Sequence, residues 1–192
     1  MELEGNRIEE IGPEHPLRQL FSRLVSRAMA RGARLRDPRI VSYLAELLTR
    51  FSDTRNLYAI RDATGRPLED VGEMLLEADP MGPGGGFGRE REVRRHIGDF
   101  TLFFLGLFPE HLEAHATTRI PGLYVDWAAT GRESYRIAAA FDVGPWAEEA
   151  EVFARLAERY DACVRGLRVV RHEMDRMSDP VVQMMGRLLG SG

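Results

Sequence analysis

The chain has 192 residues, 26 basic against 30 acidic, a formal net charge of −4 and a hydrophobic fraction of 44%. That length encloses a substantial core as one domain, and the near balance of charge argues against nonspecific nucleic-acid binding, which needs a concentrated basic face. Every basic residue is an arginine, so Schiff-base chemistry and the lysine of a phosphate-binding P-loop are excluded.

Cys163 is the only cysteine. One thiol supplies neither an internal disulfide nor a Cys-rich zinc site, which points to a reducing compartment. Met1-Glu2-Leu3-Glu4-Gly5 lacks the apolar stretch of a secretory signal. The longest apolar run, Phe100 to Phe108, falls well short of the roughly 20 residues that span a bilayer. A cytoplasmic protein with no membrane association is the expectation.

In chain order, residues 1–13 are polar and read as a loose N-terminal segment, with a single helical domain over 14–192. Pro16 opens a helix whose Leu17, Leu20, Phe21, Leu24, Val25 and Ala28 recur at three- and four-residue steps, and Gly32 is a plausible stop. Asp37-Pro38 is the clearest start signal: the carboxylate caps free amides, and proline takes a position that needs no donor. Ile40, Val41, Tyr43, Leu44, Leu47, Leu48 and Phe51 then line one face. A short helix over 56–63, a turn at Thr64-Gly65-Arg66-Pro67 and a third main helix over 67–78 follow. The Gly/Pro-rich loop at 80–88 reads as a flexible connector.

The next helix, 89–108, begins charged and ends apolar almost all round, the mark of a helix with neighbours on several sides. Gly98 and Gly106 within it signal close approach by another backbone. A helix from Pro121 or Gly122 to Phe141 and one long helix over 146–177 complete the main elements. The tail, with Val181, Val182, Met184, Met185, Leu188 and Leu189, fits a short amphipathic helix. No stretch alternates with period two, so the fold class is all-α: an irregular bundle of about six helices.

Three stretches stand out together: His96-Ile-Gly-Asp-Phe-Thr-Leu-Phe-Phe-Leu-Gly-Leu-Phe-Pro109, Tyr124-Val-Asp-Trp-Ala-Ala-Thr-Gly-Arg-Glu-Ser-Tyr135 and Val152-Phe-Ala-Arg-Leu-Ala-Glu-Arg-Tyr160. Their Gly-Asp, Gly-Leu-Phe-Pro and Gly-x-x-x-Tyr elements resemble an uncharacterised family of bacterial all-helical proteins. The resemblance implies a bacterial source and a helical core, and brings no activity, cofactor or substrate.

Candidate chemistry is sparse. His111 and His115 lie one helical turn apart, a spacing that can ligate zinc or another transition metal. Glu113 does not complete a metalloprotease motif, and a third ligand has to come from elsewhere in space, from His96, Asp99 or His172. The competing reading is a pair of surface histidines. Asp99 interrupts an apolar helix, and a buried carboxylate needs partners or its proton; His96, Arg95, Arg132 and Tyr135 are its candidates. Such a cluster serves more often as a structural network than as an acid or base.

Gly82 to Gly88 precedes a helix but follows no strand, so it reads as a linker and not as a phosphate loop. Arg89, Arg91, Arg94 and Arg95 alternate with glutamates, as on a solvated face. Phe100, Phe103, Phe104, Phe108, Tyr124, Trp127 and Tyr135 fit a filled core better than the wall of a ligand pocket. No nucleophile or di-iron motif occurs, and nothing calls for a cofactor beyond the transition-metal alternative. The expectation is a noncatalytic protein acting through a protein partner or self-association. The alternative is a small-molecule- or metal-binding protein, with enzyme activity left open, using His111 and His115 or the Asp99 region.

Overall fold

The computed structural model describes residues 15–82, 85–114, 120, 123 and 125–177. Among them the chain is all-helical, with one isolated antiparallel bridge, Arg61 to Pro67. The segment 1–13, His115, Tyr124 and the tail beyond Met177 lie outside the described residues.

Helix α1 (Pro16–Ala28) starts as expected, with Pro16 in its first turn and the His15 ring accepting from the Leu17 amide at 3.2 Å. It runs on into a π-helical turn, Met29–Ala33. Gly32 sits inside that turn; the stop is Arg34, in the left-handed region at φ 52°. The glycine serves packing, since a Cβ on it would lie 2.6 Å from Val169. Helix α2 (Pro38–Phe51) matches its expected bounds, capped by the Asp37 carboxylate on the Arg39 amide at 3.0 Å.

The short helix expected over 56–63 is instead α3, Thr54–Leu57. Beyond it Asp62 Oδ1 accepts from the backbone amides of Thr64 and Arg66, and the Leu68 amide donates to the Ile60 carbonyl at 2.8 Å. These bonds hold Pro67 in the small hairpin, so α4 is confined to Val71–Glu77 and capped by Asp70 on the Glu73 amide.

Helix α5 is Phe87–Leu107, so the last two residues of the expected 80–88 loop are already helical. After α6 (Glu110–Ala114), helix α7 (Trp127–Ala139) begins at its Asp126 cap; Pro121 and Gly122, where its start was expected, lie outside the described residues. A 3-10 turn, Gly144–Trp146, leads to α8 (Ala147–Glu158) and α9 (Tyr160–Met177). The single long helix expected here is therefore broken at Arg159, at φ −106° and ψ 16°. Its apolar period runs through the break without interruption, because the same stripe meets α7 along α8 and then α5 and α1 along α9. That split, with the short pieces α3 and α6, explains why the elements exceed the expected six.

Helix α5 passes through the middle of the bundle, with α4, α7 and α9 packed against it, while α2 pairs with α1 and α7 with α8. The buried side chains of these elements form one contiguous apolar cluster. Glycines set the closest approaches. A Cβ on Gly106 would lie 2.4 Å from Leu167 on α9, and one on Gly131 of α7 would lie 2.2 Å from Thr101 Oγ1 and 2.3 Å from the Tyr160 hydroxyl. Those two oxygens bond each other at 2.8 Å, so the site cannot yield without breaking a buried hydrogen bond. No helix among the described residues is long and apolar enough to cross a membrane.

Gly131→Ala should therefore destabilise the fold by about 2–3 kcal/mol in urea denaturation, although alanine is the better helix former. Gly88→Ala, whose added methyl meets nothing within 4 Å, should change stability by less than about 1 kcal/mol, in the stabilising direction. Equal effects of the two substitutions would contradict the packing argument.

Candidate functional site

Asp99 is the most deeply buried carboxylate described, 1% exposed on the central helix. Its Oδ1 accepts from the Tyr43 hydroxyl of α2 and the Tyr135 hydroxyl of α7, each at 2.7 Å. Its Oδ2 accepts from Arg50 Nη2 of α2 at 2.6 Å. Three helices thus meet on one carboxylate. Gly98 makes this possible: a Cβ there would lie 2.7 Å from the Tyr135 ring, so only a bare backbone lets the phenol lie flush against α5. Phe153 of α8 completes the enclosure, stacked on Tyr135 at 5.9 Å and edge-on to Tyr43 at 5.8 Å.

The electrostatics match a closed network. Burial, and then the charge of Asp99, pushes the Tyr43 and Tyr135 hydroxyls well above the ordinary tyrosine range, so both stay protonated donors. Burial disfavours the Arg50 cation, but the Asp99 charge and the two tyrosines together outweigh it and leave the guanidinium harder to deprotonate than usual. A general acid or base must reach a proton on its substrate; this carboxylate has both oxygens occupied and almost no exposure. The arrangement joins helices.

His96, one turn before Phe100, bonds through Nε2 to the Leu57 carbonyl at 3.1 Å and packs against Phe51 and Phe100. It makes no hydrogen bond to Asp99. Burial pushes its pKa down to about 4, and Arg50 and Arg95 add to the shift; the Asp99 charge and the Leu57 bond oppose it.

Of the expected Asp99 partners, the structure brings up only Tyr135. Arg132 instead pairs with Asp161 at 2.8 Å and lies over the Tyr160 ring. Arg95 is half-buried with its Nε sequestered and unbonded. Tyr43 and Arg50 carry the network and were not among the expected partners. Their signal was a seven-residue spacing that puts a tyrosine and an arginine two turns apart on one face of a strongly amphipathic helix.

His111, on α6, is half-buried with its ring against Phe104 at 5.5 Å and Phe108 at 6.2 Å. The other half of that pair, His115, lies outside the described residues, and His172 is exposed on α9. Among the described residues no group of three His, Cys, Asp or Glu side chains could hold a metal ion. The aromatic residues fill space against each other, with Phe100 to Phe104 at 4.7 Å, Phe103 to Phe108 at 5.4 Å and Phe100 to Trp127 at 5.8 Å. Burial pushes the Cys163 thiol up to about 12, which leaves it unreactive.

Two surface features remain. An open groove of about 510 Å³ runs between α1 and α2, lined by Ser22, Ser26, Ala30, Leu35, Val41 and Ala45 among others. The second is the α4–α5 corner, where Leu76, Met81 and Phe87 are 65%, 91% and 73% exposed. Beside them Gly82 donates to the Asp79 carbonyl, Gly85 to the Gly82 carbonyl and Met81 to the Asp79 side chain.

Compared with protein-family models, with curated proteins and with solved structures, the chain matches none.

Asp99→Ala leaves two buried hydroxyls and a guanidinium without their acceptor and should lower stability by about 3–5 kcal/mol. Arg132→Ala, removing a surface pair, should cost under about 1 kcal/mol in the same urea titration. His96 yields a pH signature. The unfolded chain takes up this proton near pH 6.5 and the folded chain only near pH 4. The contribution is therefore complete above pH 6.5 and is lost as pH falls through that window, to a total of about 3 kcal/mol. His96→Gln, which keeps a donor for Leu57, should flatten the stability profile between pH 6.5 and 4; an unaltered slope would show that His96 is not the group responsible.

Proposed function

We propose that this protein is noncatalytic and acts through protein–protein association, by self-association or with a protein partner. The observation that carries the reading is the α4–α5 corner: three large apolar side chains within twelve residues, all exposed, with Leu76 in α4, Met81 just beyond it and Phe87 opening α5. Isolated exposed apolar residues are ordinary, whereas several gathered at one corner are characteristic of an association surface. Aromatic and methionine side chains are the types enriched at such surfaces, because they bring large contact area and adapt their shape. The interior supports the same reading, since the one buried carboxylate among the described residues is consumed by structural bonds.

The apolar tail, Val181 to Leu189, lies outside the described residues; its sequence offers a second surface of the same chemistry. Deleting residues 180–192 and measuring mass in solution separates its roles: unchanged assembly with lower thermal stability assigns it to closing the bundle.

The main test is sedimentation velocity on the full chain over a wide concentration range, beside Leu76→Glu/Phe87→Glu. The wild type should associate with rising concentration and the variant should remain monomeric, with folding stability within about 1 kcal/mol of the wild type. Indistinguishable sedimentation of the two would remove this corner as the self-association surface.

A further inference from the structure

We infer that the groove between α1 and α2 is the docking site of the chain's own first fourteen residues. The groove is independent of the α4–α5 corner and has two properties that select an occupant. Its floor is apolar, from Ala30, Leu35, Val41 and Ala45, and none of its lining residues is aromatic. Its surroundings are basic. Residues 15–45 contain seven arginines and a single acid, Asp37, and that acid is already held by Arg155 at 2.6 Å. Arg23, Arg31, Arg34 and Arg36 are exposed, with no ion pair or side-chain hydrogen bond among the described residues. Arg36 is itself part of the groove wall.

An occupant has to bring apolar groups for the floor and negative charge for the rim. A nucleic acid would meet the rim but find no aromatic platform for its bases. Residues 1–14 bring both: Leu3, Ile8 and Ile11 are interspersed with Glu2, Glu4, Glu9, Glu10 and Glu14, against one arginine, Arg7. This acidic stretch directly precedes the basic one, in a chain whose overall charge is only −4.

Reach is not an obstacle. Ala30 lies about 21 Å along the helix from Pro16, whereas fourteen extended residues span up to about 46 Å. Gly12-Pro13 is a dipeptide suited to turning the chain back. Covalent attachment also holds the segment near the groove at an effective concentration of order millimolar, so weak contacts suffice.

Disulfide trapping in the full chain tests this. Ile8→Cys/Ser26→Cys is oxidised with glutathione disulfide, leaving the buried Cys163 in place. An intramolecular disulfide should form roughly tenfold faster than in Ile8→Cys/Leu76→Cys, whose second thiol sits on α4. Adding Arg23→Glu/Arg36→Glu should slow trapping by roughly the same factor. Equal rates at the two positions, cross-links between chains instead of within one, or a rate indifferent to the charge reversal would each overturn the assignment. Circular dichroism establishes that each variant is folded, and Ser22→Cys replaces Ser26→Cys if the latter is not. Quenching of trapping by a single-stranded oligonucleotide but not by charge reversal would likewise overturn it, in favour of a nucleic-acid ligand.

Discussion

A carboxylate removed from water must be met by donors on every side, or the surrounding fold does not form. Asp99 meets that demand with two phenols and a guanidinium drawn from helices before and after it in the chain. Each bond is short and specific in direction, whereas the apolar contacts around it are tolerant of sliding. The network therefore fixes the rotation and register of α2 and α7 against α5, and the oily interior supplies the bulk of the driving force. The same saturation removes Asp99 from acid–base chemistry.

Close packing and polar satisfaction depend on each other here. Tyr135 reaches Asp99 only because Gly98 leaves room for its ring, and Tyr160 reaches Thr101 only because Gly131 leaves room for its hydroxyl. The Gly-Asp and Gly-x-x-x-Tyr elements are thus two halves of one contact: the glycine of the first admits the tyrosine of the second, and the aspartate receives its proton donor. Gly106, in the third element, admits α9 in the same way.

The helices were legible wherever a cap and a period coincided, as at Asp37-Pro38 and along Ile40 to Phe51. Boundaries failed where a local bond outcompeted the period, as when the Asp62 turn shortened α4, or where the period carried no sign of a bend, as at Arg159. The site was half legible. An aspartate inside an apolar run announced a buried charge, and Tyr135 was a natural partner one helix later. Arg132 and Arg95 were equally reasonable in sequence, but rotation about a helix axis turns the first toward Asp161 and leaves the second beside the network without a bond to Asp99. Tyr43 and Arg50 carried only their shared helix face as a signal, because a tertiary pairing over some fifty residues does not show in sequence which partner that face meets.

Those separations also order events on the ribosome. Tyr43 and Arg50 are synthesised before Asp99, but Tyr135 follows it by 36 residues, which is about 2–7 s of translation at about 5–20 residues per second. Through that interval the aspartate has only part of its donor set and keeps its water, so α2 and α5 stay loosely docked. The nascent chain locks only when α7 has emerged, which makes this later helix, and not the amino terminus, the timer of its maturation.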